Sequence, residues 1–416
     1  MTFMDLTTFA AVEQINQESL EVDAASLYQA FEQVTDGRGK KGIRYPLAFI
    51  LTLLMLGKMV GQTKIEGTIN WISERKPELR KLLNWPKRFP SYKTYTTALA
   101  KCDDQEIVKA IAQVILKARA IKENGNSVES MTYNQMKQGE KLVHTAMDGK
   151  TMRGTLKHEK DDQPSVHLLA LYEVESGIVI AQETVKSKDN EITAAKNFLD
   201  PVYVKGRIIS TDAMHTQKKW CAGVHGYGGY YLVIAKENQP TVYEDLRDYF
   251  EDKELVSTEC EYHKMVQKGH GRLETREIWL STHMSEWFAK DWVGIAQVFM
   301  IRRVVIDGRD RREKIAYGFT NLSRKQANAE QVLCLNQKHW FIENRLHYRR
   351  DVTLGEDASQ VSVSGVPSVI AALNGGVLAL ADLLGVKNLA KQMVHYCAQP
   401  QEALQLLLGN LSRQNG

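Results

Sequence analysis

A mixed α/β sheet preceded by a small helical domain is the fold class the sequence predicts, and three observations carry that prediction. Up to about residue 120, apolar runs of helical length alternate with basic and aromatic positions. From Lys141 the pattern turns to β-rich runs, first in succession and then alternating with helical segments. Between 257 and 322 the β-rich runs return without helices, and one long helical segment follows them.

Composition sets the outer limits. The 416 residues allow two or three domains, and 43% hydrophobic with 25% charged residues is ordinary for a soluble globular chain. A net charge of +4 permits a nucleic-acid partner without demanding one. Cys102, Cys221, Cys260, Cys334 and Cys397 are scattered with no CxxC spacing, which predicts reduced thiols in a cytosolic protein and no zinc site. Leu47 to Gly57 is apolar but about half the roughly 20 residues a membrane span needs. Val366 to Val386 is long enough but contains Asn374, Gly375, Gly376 and Asp382, so both read as buried helices and no membrane partner is expected. The first residues lack a basic region before an apolar core, so no signal peptide is expected.

The elements follow in order. "DGRGKKGIRYP", residues 36 to 46, carries Arg38, Lys40, Lys41 and Arg44 and leads into an apolar helix. A second helix covers about Ile65 to Leu83. Beyond it, basic residues interleave with Trp85, Phe89, Tyr92 and Tyr95, which suits a helical DNA-binding domain over residues 1–120. Taken alone, these charges fit a solvated helical face over core aromatics. Residues 121–140 are polar and read as a linker.

"KLVHTAMD" reads as a first strand; "SVHLLALYEV" and "IVIAQETV" form a hairpin around "ESG". "NEITAAKNFLD" looks helical, with Asn190 as N-cap. Arg207 to Thr211 is a strand ending at Asp212, followed by a short helix, the strand "GGYYLVIAKEN" and the helix "TVYEDLRDYFED". "RLETREIWLS", "GIAQVFMIRRVVID" and "GRDRREKIAYGFTNL" are β-rich, and "NAEQVLCLNQKHWFIENRLHYRRDV" is a long helix. This order matches an RNase H-like core in two parts, 141–256 and 323–416, with 257–322 as a β-rich insertion before the last helix.

Three carboxylates stand where that topology can gather them. Asp148 and Asp212 end the first and fourth strands, which are neighbours in such a sheet, and Glu343 lies in the late helix. Mg²⁺ takes oxygen ligands and is commonly held by a few carboxylates plus substrate phosphate. A pair of such ions can clamp the attacking and leaving oxygens of a phosphodiester. Singly, each acid has an ordinary reading: Asp148 with Gly149 is a turn pair, and a helical Glu is usually solvated.

Further candidates lie around them. Lys150, Thr151 and Arg153 could hold a DNA backbone or form a solvated basic turn. His215, with Gln217 close by, follows Asp212 and could orient a water, contact phosphate or be structural. Lys236, Asn238 and Gln239 sit at a strand end. His270, Arg272, Glu274 and Arg276 share one strand face, suited to DNA contact or to ion pairing. Trp279, Trp287 and Trp292 read as core, and Asp351, Glu356 and Asp357 as a structured turn.

The blocks "MDGKTMRGT", "STDAMHTQ", "YLVIAKENQPTVYEDL", "HGRLETRE" and "KHWFIENRLHYRRDVTLGEDAS" resemble the ISAs-type bacterial insertion-sequence transposases, including the H-repeat-associated proteins, from about residue 20 to 385. "RGKKGIRYPLAFILTLLMLGKMVG" is similar to that family's associated helical domain. The resemblance implies a DDE-class transposase with Asp148, Asp212 and Glu343 as its metal triad and Mg²⁺ as cofactor, Mn²⁺ substituting. It implies double-stranded DNA partners, the transposon terminal inverted repeats and the target, bound by a homodimer in the cytoplasm at the nucleoid. Many related transposases carry Tyr-x2-Arg-x3-Glu-x6-Lys around the catalytic Glu. Here those positions are Asn336, His339, Glu343 and Arg350. On a regular helix His339, Glu343, His347 and Arg350 share a face, so a cationic line facing phosphate is expected beside Glu343.

Overall fold

The computed structural model describes residues 26–39, 41, 43–124, 142–155, 166–185, 191–269, 271–359, 361 and 365–409. Lys40, Asn190 and His270 lie outside the described residues, as does most of the expected linker.

Six helices open the described chain: α1 (Leu27–Glu32), α2 (Leu47–Met59), α3 (Ile65–Glu74), α4 (Lys76–Leu82), α5 (Tyr92–Leu99) and α6 (Asp104–Asn124). A capping box of Ser26 and Gln29 starts α1 by satisfying backbone donors at its first turn. Every residue of α2 is buried, so its all-round apolar character belongs to the middle of a helical body. The helix Val366–Leu383 is long and apolar enough to cross a membrane, but 94% of it is buried inside the protein. It packs on α2, α6 and the strand Ile178–Val185 and so joins the helical body to the sheet.

Nine strands form one sheet: β1 (Val143–Thr151), β2 (His167–Glu173), β3 (Ile178–Val185), β4 (Arg207–Thr211), β5 (Tyr230–Ala235), β6 (Glu261–Gly269), β7 (Arg272–Ser281), β8 (Gln297–Asp307) and β9 (Asp310–Thr320). Their order is β3-β2-β1-β4-β5-β9-β8-β7-β6. β1 runs parallel to β4, and β4 to β5; the remaining pairs are antiparallel. Parallel neighbours need crossovers, and the segment Glu191–Val204 and the helix Lys218–Gly226 supply them. β2 is buried along its whole length, which accounts for its near-continuous apolar run.

The β-rich block is a meander that continues the same sheet, because β9 pairs with β5 from Leu232↔Thr320 to Ala235↔Tyr317. β6 is an additional strand that the sequence reading did not separate out. Trp292 is buried as expected, whereas Trp287 is exposed and donates its indole N–H to Asp245. The late helix is not uniform. After a capping box of Asn328 and Gln331 it is α-helical over Ala329–His339, π-helical over Ile342–His347 and α-helical again over Tyr348–Val352.

Candidate active site

Strand register creates the site. Met147 on β1 pairs with Thr211 on β4 in parallel, so Asp212 leaves β4 beside Asp148; Asp148 does not end its strand as expected, because β1 runs on to Thr151 with Asp148 paired to Ala170 of β2. The turn after Asp212 is fixed from β5's end: Asn238 Nδ2 donates to Ala213 O at 2.7 Å, and Gln239 Nε2 donates to Thr216 O at 3.0 Å. Glu343 comes from the π-helical stretch, and such insertions are frequent at functional sites. Its side chain is 56% exposed, while His347, one turn on, is buried. His347 Nδ1 lies 2.9 Å from Glu343 Oε2 and 3.6 Å from Asp148 Oδ2. Ligand atoms of Asp148, Glu343 and His347 all fall within 4.8 Å of one another.

The electrostatics favour a cation. Burial pushes the Asp148 carboxyl up to about 6; His347 opposes this, and the charges of Asp212 and Glu343 add to it. Glu343 is held below its ordinary value chiefly by its hydrogen bond with His347. Asp212 Oδ1 is buried and, among the described residues, makes no hydrogen bond. Carboxylate oxygens gathered this way are a donor set that fits a hard divalent ion, with His347 hydrogen-bonded to one of them.

A family model described as "Transposase DDE domain" matches residues 139–362, and one described as "DDE_Tnp_1-associated" matches 28–115. The chain belongs to the DDE-domain transposase family. It is 30% identical to "Putative protein YbfL" and 29% identical to "H repeat-associated putative transposase YhhI", both of Escherichia coli (strain K12). Either alignment covers 221 residues, 52% of this chain and 58% of the relative, so the chain spans little more than half the length of these relatives. It is 24% identical to "Putative transposase YncI" of Escherichia coli O157:H7 over 89% of this chain and 88% of that one.

Several residues of this DDE domain expected to meet DNA are engaged inside the protein. Arg350 is 1% exposed and bonded to the equally buried Glu356 at 2.7 and 2.8 Å, with Asn374 Nδ2 donating to the same carboxylate. The turn after the π-helical stretch thus points Arg350 into the core, away from phosphate. His339 is buried with Nδ1 3.0 Å from Ser210 Oγ, which also meets His144 Nε2 at 2.8 Å. Burial pushes His339 down to about 4, so it is a neutral core residue and not part of a cationic line. Lys150 Nζ lies 2.6 Å from Asp351 and 3.3 Å from Asp357.

His215 is buried 3.3 Å from Glu191, which also meets His167 at 2.5 Å. Burial would raise Glu191, but hydrogen bonds from the two histidines hold it down at about 2. Gly149 makes this cluster possible, since a Cβ there would lie 2.6 Å from His167 Nε2. Arg276 pairs with Glu274 at 2.5 Å, and Arg303 completes that ladder; Arg272 is more exposed, 3.7 Å from Asp307. Arg38 is tied to Asp36 at 2.6 Å and donates to Tyr45 O.

Arg153, Lys236, Lys41 and Arg44 remain on the surface. Arg153 is 80% exposed, 3.9 Å from Asp357, and its charge helps lower Glu343. Lys236 stands at a cavity of about 710 Å³ that Asp212, Gln217 and Asn238 also line. His347 is the site residue that the sequence reading treated only as part of a phosphate-facing line. Its signal was the i+4 spacing from Glu343.

Proposed function

We propose that this chain is a metal-dependent DNA transposase that cuts double-stranded DNA at transposon terminal inverted repeats and joins the freed ends to target DNA. The observation that carries the reading is the cluster of Asp148, Glu343 and His347, in a chain of the DDE family, with Asp212 one residue beyond the strand pair Met147↔Thr211 and close enough for its charge to act on Asp148. The strand order β3-β2-β1-β4-β5, with β1, β4 and β5 parallel, supports an RNase H-like core over 141–256 and 323–416. On this reading 257–322 is inserted, 1–120 is the DNA-binding domain and 121–140 the linker.

Asp148, Asp212 and Glu343 would hold Mg²⁺, or Mn²⁺ in its place, through carboxylate oxygens. A bound divalent ion supplies activation of the attacking oxygen and relief of charge on the phosphate. The two aspartates set the spacing from rigid neighbouring strands, Asp148 within β1 and Asp212 just past β4, and His347 orients Glu343 through Nδ1. Arg153 and Lys236 are available to the scissile strand, and Lys41 and Arg44 to backbone further away. Water attacks one phosphodiester and frees a 3′-OH; that hydroxyl then attacks a target phosphodiester and displaces a second 3′-OH. No covalent enzyme intermediate is needed. Two ends held together imply a homodimer, working in the cytoplasm at the nucleoid.

The test is incubation of the full chain with flanking DNA ends and Mg²⁺ or Mn²⁺, mapping nicks, with a labelled 3′-OH end to follow joining. Nicks at the ends and joined product are expected. Nicks without joining would leave a nuclease, and no nicking would overturn the reading.

A further inference from the structure

The helical domain carries a charged groove distinct from the acid site. It has a volume of about 560 Å³ and runs between residues 37–39 and 41 on one side and α5 on the other; Arg38, Lys41, Ser91, Lys93, Thr97 and Lys101 are among the residues that line it. No carboxylate lines it. Arg38 is neutralised by Asp36, but Lys41, Lys93 and Lys101 are exposed, and among the described residues none is held in an ion pair.

The sequence builds the groove through two glycines. At Gly37 a Cβ would lie 2.4 Å from the Lys101 carbonyl oxygen, so only glycine lets the basic segment lie directly against the end of the α5 region. At Gly39 a Cβ would meet nothing within 4 Å, so the backbone there is bare to an approaching ligand. The opposite wall presents Ser91, Thr94 and Thr97. Ser91 bonds to Thr94 and does not cap α5, so the hydroxyls and first-turn N–H groups add donors beside the lysines. Isolated ammonium groups, hydroxyls and open N–H groups recognise phosphate oxygens without reading bases. Ile43 is the sole large aliphatic side chain in the lining, which leaves no anchor of the kind that protein partners use.

We propose that this groove is a phosphodiester-binding site that grips the DNA backbone away from the point of cleavage. It rests on the DNA reading above and deepens it by naming residues that the basic run alone did not: Lys93 and Lys101, with Ser91 and Thr97. Binding here is independent of DNA sequence and falls as salt rises, because each contact releases condensed counterions.

The experiment compares full-length wild type, the double variant Lys93→Ala/Lys101→Ala and a control, Lys387→Ala/Lys391→Ala, which removes the same charge from exposed positions elsewhere. A fluorescent duplex of about 30 base pairs is titrated at several salt concentrations. The slope of log K against log salt should flatten by about 1.8 in the groove variant, about 0.9 for each lost contact, and stay at the wild-type value in the control. Mn²⁺ affinity, measured by calorimetry on the same samples, should be unchanged. A wild-type slope in the groove variant, or equal flattening in the control, would overturn the groove assignment. Absence of duplex binding by wild type at low salt would overturn the DNA reading itself, and the groove with it.

Discussion

β1 and the late helix meet twice, and the two meetings are built from the same residue types to opposite ends. At the first, Asp148 faces Glu343 and His347, with Asp212 adding a third carboxylate and a buried oxygen without a partner. At the second, two residues along the strand and one or two turns along the helix, Lys150 lies between Asp351 and Asp357 while Arg350 closes on Glu356. The second cluster contains its own cations, Lys150 and Arg350, each in direct contact with its carboxylates. The first contains three acids and one imidazole, and among the described residues no lysine or arginine pairs with those acids. Residue type alone does not separate the two clusters; a lysine or arginine partner does.

Emptying the first cluster of charge should give the largest effect. Asp148→Asn, Asp212→Asn or Glu343→Gln keeps shape and removes a metal ligand, so end cleavage should fall by at least ~10³-fold while duplex binding stays near wild type. Wild-type-like cleavage by any one variant removes that residue from the site. His347→Ala should be milder, weakening Mn²⁺ affinity by about 10–100-fold if it is a ligand or orients one. Unchanged Mn²⁺ affinity by calorimetry would leave it as packing.

The second cluster should respond in stability. Arg350→Ala strands Glu356 as an unpaired charge in the core, at a cost of about 3–5 kcal/mol, read from denaturant midpoints. The comparison sharpens if Arg350→Met with Glu356→Leu recovers most of that loss, since a buried pair can be replaced by apolar groups with little net cost. If Arg350→Ala instead leaves stability intact and lowers DNA affinity, the two clusters have been assigned the wrong way round.

The legible part of this protein was the part written locally. Asp212 ends a β-rich run and Asp148 lies in another, so their approach follows from strand order once β1 and β4 are neighbours, although β1 runs three residues past Asp148. Lys93 and Lys101 gave no such signal, because what joins them to Arg38 is the close approach at Gly37. The fate of Lys150 was settled about 200 residues away, at Asp351 and Asp357. Arg350 was misread because spacing on an ideal helix put it beside Glu343, whereas the π-helical stretch and Glu356 turn it inward. His339 was misread for a related reason. Its partner Ser210 lies on β4, and no local pattern marks that contact.

His339 gives the last and smallest effect near neutral pH. The sequence comparison makes His339→Arg look like a return to the common residue of related transposases, and therefore harmless. The contacts argue against this, since His339 is buried against Ser210 in a chain that ends at His144, and an arginine would bring a fixed charge into a site where burial already disfavours one. Burial pushes His144 down to about 3 and His339 to about 4, against about 6.5 in an unfolded chain. The unfolded state therefore binds more protons below about 6.5, so the two histidines contribute nothing to pH dependence above that value and cost stability as pH falls towards 4. Wild type should lose stability steadily across that window, and His339→Gln should lose it less steeply, because one of the two protonation steps is gone. His339→Arg should lower stability at every pH, with no titration of its own. An equal slope in wild type and His339→Gln, measured by urea unfolding between pH 7 and pH 4.5, would mean that His339 does not titrate as a buried neutral group.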